Sequence, residues 1–128
     1  MPITSDGKST ITALVGGFNG YVAFCALALD SSSNAFDKGQ SGPVAEISSG
    51  GLSRASATVS RGTTSDSNDT LEFYKSWTCT SGPISVNAVC VMNNASSGGT
   101  MGSRDVLPST RTMQTGDTIS EQINWIFG

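Results

Sequence analysis

Residues 39–42, Gly-Gln-Ser-Gly, have the outline of a serine nucleophile elbow. That device needs Gly-x-Ser-x-Gly between a strand and a helix, together with a base that takes the hydroxyl proton. Here Pro43 follows, no helical pattern comes next and the chain has no His, so the segment reads as a loop. Paired carboxylates are the second route to hydrolysis, one acting as acid and the other as base or nucleophile across a glycosidic bond. Glu46, Glu72, Glu121 and seven aspartates are available. Of these, Asp6, Asp30, Asp37, Asp66, Asp69 and Asp117 fall at turn or cap positions, where a carboxylate accepts from backbone amides, and structural use is the stronger reading. Residues 66–69, Asp-Ser-Asn-Asp, lack the Gly and the distal Glu of a calcium loop.

The three cysteines, Cys25, Cys79 and Cys90, have no CxxC spacing and each lies in an apolar, strand-like stretch. Buried free thiols are expected, with a Cys79–Cys90 bridge as the weaker alternative. With no His and no acidic cluster in its place, neither a metal nor a cofactor is expected. Asn68-Asp-Thr70 and Asn94-Ala-Ser96 match the glycosylation sequon, but Ser and Thr make up about a quarter of the chain and such matches arise by chance. Trp77, Trp125, Tyr21 and Tyr74 could build a platform on which a sugar ring stacks; aromatics spaced along strands more commonly serve a core or a subunit contact.

These side chains sit in a chain of 128 residues, enough for one domain with a sizeable core and too short for two. Charged residues are 13% of the chain, against roughly 25% in an average soluble domain, so its polarity comes mostly from neutral groups. The net charge is −3, and the seven Lys and Arg are scattered singly from Lys8 to Arg111. No basic patch exists to displace counterions, which argues against nucleic-acid binding. The longest apolar run, residues 21–29, is about half the ~20 residues a membrane-spanning helix needs, and no membrane role is expected. Residues 1–8 have neither the basic nor the apolar region of a secretory signal, so the chain is expected to be made and kept in a cytoplasm until assembly.

Periodicity supplies the elements. Ser5 or Asp6 is expected to cap a short helix that carries Ile11, Leu14 and Val15 on one face and stops at Gly16-Gly17. Residues 21–29 are apolar on both alternating faces, as in a central strand buried on both sides. Residues 30–51 form a long polar connection, with Phe36 and Val44 as anchors to the body. With so few apolar groups, that connection is expected to need a neighbouring subunit to order it. Residues 52–61 read as a polar-faced strand. Leu71, Phe73, Trp77 and Cys79 then alternate inward against Glu72, Tyr74, Ser76 and Thr78 outward, with Lys75 interrupting the inner face. In residues 84–92, Ile84, Val86, Ala88 and Cys90 are expected to share a face. Residues 101–107 and 110–115 read as two short strands. Residues 118–127 fit a helix or a strand, and their β-branched and aromatic content favours the strand. About seven short strands with frequent turns predict an all-β chain: one antiparallel β-sandwich or jelly-roll-like domain over residues 1–128, with one short N-terminal helix.

Several segments in sequence order carry a resemblance: Ile3-Thr-Ser-Asp-Gly-Lys8, the strand over 21–29, the loop ending near Glu46, Gly51-Leu-Ser-Arg54, Asn68-Asp-Thr70, residues 91–101 with Arg104 after them, and Gly116-Asp-Thr118. The chain resembles small structural proteins of tailed bacteriophages and related viruses, of the tail, fibre or virion type. Members often carry Glu and Gly ahead of the Asn-Ala-Ser-Gly-Gly stretch, where this chain has Ala88-Val-Cys90. The resemblance implies a non-enzymatic virion protein, either a capsid decoration or cement subunit or a tail, baseplate or fibre component. Its expected partners are copies of itself, with a trimer as the guess, and other virion proteins such as the major capsid or tail proteins. Trp125, Phe127, Phe36 and Val44 are the interface candidates, and no catalytic residue is assigned. Single changes of Glu46, Glu72 or Glu121 to Gln should be harmless unless one of them pairs with a buried Arg. The alternative function is a carbohydrate-binding or adhesive β-sandwich module.

Overall fold

A computed structural model of the chain describes residues 3–7, 11 and 23–127. Seven strands follow in order: β1 (Ala26–Asp30), β2 (Ala55–Ser56), β3 (Thr58–Gly62), β4 (Thr70–Thr78), β5 (Ile84–Met92), β6 (Met101–Met113) and β7 (Thr118–Ile126). They form a four-stranded sheet in the order β2-β1-β5-β6 and a three-stranded sheet in the order β3-β4-β7, with antiparallel pairing throughout. The two sheets pack face to face as an all-β sandwich. Residues 5–7 and 11 are helical; Leu14, Val15 and the stop at Gly16-Gly17 lie outside the described residues. The cap is Thr4, ahead of the expected Ser5 or Asp6. Its Oγ1 accepts from the Gly7 amide at 2.8 Å and donates to the Met101 carbonyl at 2.6 Å, tying the N-terminal segment to β6.

The core between the sheets joins Phe73, Trp77, Ile119, Ile123 and Trp125 to Leu27, Leu29, Val86, Val89 and Val91. Trp125 sits at its centre, with Phe24 and Phe73 meeting its ring edge to face at centroid distances of 5.0 Å each. Its indole N–H donates to Ser103 Oγ at 2.8 Å, so the polar end of the ring is satisfied without solvent. Gly102 makes that position available, because an added Cβ there would fall 2.5 Å from the Trp125 ring. The strand reading of residues 118–127 therefore holds, and so does the alternation along β4, where Phe73 and Trp77 are buried and Tyr74 is exposed.

Two expectations fail at the β5–β6 ladder. Val86 pairs with Arg111 but Ala88 pairs with Val106, so Asn87 alone faces residues 107–110. This irregularity reverses the side-chain alternation. Val86, Val89 and Val91 face the inter-sheet core, whereas Ala88 and Cys90 face the other side of the sheet, so Val86 and Cys90 do not share a face. Residues 101–113 are also one continuous strand instead of two. Pro108 is tolerated because β6 is an edge strand, where a missing N–H need not break a ladder.

Candidate functional site

The outer face of the four-stranded sheet carries a second, smaller apolar cluster of Ala26, Ala28, Cys90, Met92 and Met101. These side chains are short or flexible, which lets two loops lie close over them. One loop is the long connection after β1 and the other is the β5–β6 loop, residues 93–100.

Asp30 ends β1 and is fully buried, as is the Arg104 side chain from β6. Arg104 Nη1 donates to Asp30 Oδ2 at 2.6 Å. The other carboxylate contacts reach both ends of the long connection: Ser32 N donates to Oδ1 at 2.8 Å, Val44 N to Oδ2 at 2.7 Å and Ala45 N to Oδ1 at 3.0 Å. Arg104 supplies the converse contacts, donating from Nη2 to the Ser32 carbonyl at 2.8 Å and from Nε to the Asn34 carbonyl at 3.2 Å. Burial pushes the Asp30 carboxyl up, but the Ser32 amide, the Arg104 guanidinium and the Val44 amide together outweigh it and hold the group below the ordinary carboxylate range. Asp30 therefore accepts from backbone amides, as its turn position suggested, and also forms a buried ion pair with a residue 74 positions away.

Arg54 makes the second clamp. Its Nε and Nη2 form a fork on Glu46, at 2.9 and 2.6 Å, and its Nη1 donates to the carbonyls of Asn94 and Gly98 at 3.2 and 2.7 Å. One guanidinium thus joins the end of the long connection to the β5–β6 loop, a geometry that a point-charge lysine could not reproduce. The second loop is shaped by its own asparagines: Asn94 Oδ1 accepts from the Ser96 and Ser97 amides, and Asn93 Oδ1 from the Thr100 amide. Gly98 and Gly99 supply the left-handed backbone that this turn needs, at φ of 62° and 75°.

The long connection is consequently held by its own chain. Backbone bonds from Ser31 to Ala45 and from Ile47 to Leu29 close its base, and a bridge pairs Asp30 with Glu46. Its low apolar content does not leave it without anchors, because buried hydrogen bonds to charged groups take their place. Glu46 also meets the exception set for harmless Glu-to-Gln changes, since its partner Arg54 is buried. Glu46→Gln is expected to cost roughly 1–3 kcal/mol in chemical denaturation and to expose the 93–100 loop to proteolysis. Glu72→Gln is expected to stay within about 0.5 kcal/mol.

Of the four interface candidates, Trp125 and Phe127 line one apolar cavity, and Phe36 and Val44 lie elsewhere. Trp125 is only 2% exposed and belongs to the core, so it is not a surface residue; its inward phase on β7 and the gap over Gly102 explain why. Phe127, just past β7, is 54% exposed and borders an apolar cavity of about 440 Å³ with Val59, Leu71 and Phe73. Val44 is exposed and Phe36 half-buried, both in the long connection across the sandwich from β7. The sequence reading missed Arg54 and Arg104 as site residues. The available signal was the scarcity of charge: Asp30 ends an apolar run, and each arginine follows a Ser-Ser-Gly-Gly turn by a few residues.

The other chemical candidates fall into structural places. Residues 39–42 lie in the long connection, with the Ser41 carbonyl accepting from the Met101 amide. Asp69 accepts from the amides of Asp66, Thr64 and Ser65, and these bonds hold its carboxyl far below the ordinary range. All three thiols are free; Cys79 lies in the inter-sheet core and Cys90 in the outer cluster, so no bridge joins them. Burial pushes the Cys90 thiol up to about 12 against the influence of Arg104 beside it. In a brief alkylation of the folded chain, the half-buried Cys25 is expected to react before Cys79 and Cys90, which should be modified only after denaturation. Mass spectrometry of peptides reads the order, and early labelling of Cys90 would contradict it. Compared with known proteins, the chain matches no protein-family model and no curated protein.

Proposed function

We propose that this chain is a non-enzymatic structural subunit of a tailed-virus particle, either a capsid decoration or cement subunit or a tail, baseplate or fibre component. It acts by self-association and by docking on other particle proteins such as the major capsid or tail protein. The observation that carries this reading is the pair of buried arginine clamps, which use Asp30, Glu46, Arg54 and Arg104 to hold two loops as one fixed surface. A buried ion pair adds little net stability over a hydrophobic substitute; what it supplies is a defined loop position. Loops that are already ordered lose less entropy on docking, and a subunit present in many copies multiplies that gain. The resemblance of its motif order to tailed-virus structural proteins points the same way.

Self-association is taken to close a ring, with a trimer as the working state. Native mass spectrometry of the purified chain tests the copy number. Immunogold labelling of particles from the virus that encodes the chain tests the location: regular labelling of the capsid or of the tail is expected, and unlabelled particles would overturn the proposal.

A further inference from the structure

The outer face of the three-stranded sheet has a different character from the loop-covered face. Cross-strand partners share a face, so Tyr74 on the central strand β4 lies between Thr58 of β3 and Gln122 of β7. The next row outward along β4 is Ser60, Glu72 and Asn124. Glu72 is the one charged residue among the outward-facing residues of these three strands. Tyr74 is 44% exposed, while Trp77 and Trp125 are buried and the exposed Phe127 lies past the end of β7, so Tyr74 is the aromatic that the middle of this face presents to solvent.

We infer that this face binds a neutral oligosaccharide, with Tyr74 as the stacking residue and Gln122, Asn124 and Glu72 as the hydroxyl-reading groups. An exposed aromatic ring supplies a flat apolar surface for the C–H face of a pyranose, and a tyrosine does so with few torsions to fix. Strands ~4.8 Å apart put Thr58 and Gln122 within one sugar ring's width of Tyr74. Two residues of rise, about 7 Å, put the Glu72 row at the distance of a second ring. Gln122 Nε2 donates to Asn124 Oδ1, and Ser60 Oγ donates to Glu72 Oε2, at 3.1 and 3.2 Å. Among the described residues, the Asn124 amide nitrogen and Glu72 Oε1 are left for a ligand, a donor beside an acceptor as vicinal hydroxyls require.

Other occupants fit worse. A phosphate-bearing or acidic polymer would meet Glu72 and no compensating cation. A second copy of the chain would find no group of large apolar side chains in the middle of the face, which the centre of a stable protein interface needs. The inference stands apart from the particle reading and does not require it.

The test is an amide-resolved NMR titration of the full chain with gluco-, galacto- and manno-oligosaccharides, with heparin as the acidic control. The expected result is that at least one neutral oligosaccharide shifts the Thr58, Tyr74 and Gln122 resonances, that heparin does not, and that Tyr74→Ala weakens binding at least roughly ten-fold. Asn124→Ala gives a second test if Tyr74→Ala disturbs folding, and it should also weaken binding. Three results would overturn the inference: no neutral oligosaccharide shifting this face at millimolar concentration, binding unchanged in both variants, or Tyr74→Ala lowering the oligomeric state of a chain that binds no sugar.

Discussion

Replacing Arg104 with methionine is expected to destabilise the chain by about 3–5 kcal/mol, because it leaves the Asp30 carboxylate buried without its partner. That is a large part of the roughly 5–15 kcal/mol that keeps a domain folded. The pH dependence should weaken with it. In the native chain the Asp30 carboxyl is held below its ordinary value of 3.8, so its stabilisation is complete above that pH and is lost as pH falls through the folded value. Without Arg104 the lowering influence of the guanidinium is lost while burial still opposes ionisation, so the carboxyl rises from its native position and the stability lost on acidification should be smaller in the variant. Urea denaturation across the acid range measures both slopes. Adding Asp30→Asn to the Arg104→Met variant should recover part of the loss, since no buried charge then remains. Hydrogen exchange at Val44 and Ala45, whose amides donate to Asp30, should accelerate in Arg104→Met whatever the global change.

Trp125→Ala is expected to cost about 3–5 kcal/mol by emptying the centre of the inter-sheet core. Phe127→Ala, at a site more than half exposed two residues later, should stay within about 1 kcal/mol. Thermal or urea unfolding of the two variants separates a core residue from a surface residue. Equal effects would show that the phase of β7 is wrong. The pair also separates folding from assembly: loss of Trp125 should act through stability, and loss of Phe127 can lower association only through a contact made outside the folded chain.

The strands that face one core in a single phase were legible from sequence. In β4 the alternation of Phe73 and Trp77 against Tyr74 survives intact because nothing interrupts its pairing with β7 over nine residues. The phase of β5 was not legible, because a bulge is set by the partner strand: Asn87 looks like any other outward residue until residues 107–110 are placed opposite it. The arginine clamps were hidden for a related reason. Asp30 and Arg104 are 74 positions apart, and local turn chemistry already gave each nearby loop a sufficient explanation. Composition held the missing hint, since a chain with only 13% charged residues that buries any of them must give each buried charge a partner.

Lysine cross-linking and quantitative mass spectrometry of purified particles test the central claim most directly. Lys38 is exposed on the long connection that the two clamps hold, whereas Lys75 is half-buried on the inner face of β4. The account predicts that the chain is present at a fixed ratio to the major capsid or tail protein, with Lys38 cross-linked to that protein or to a second copy of the chain. Particles that lack the chain, or that contain it with Lys38 cross-linked to neither, would contradict it.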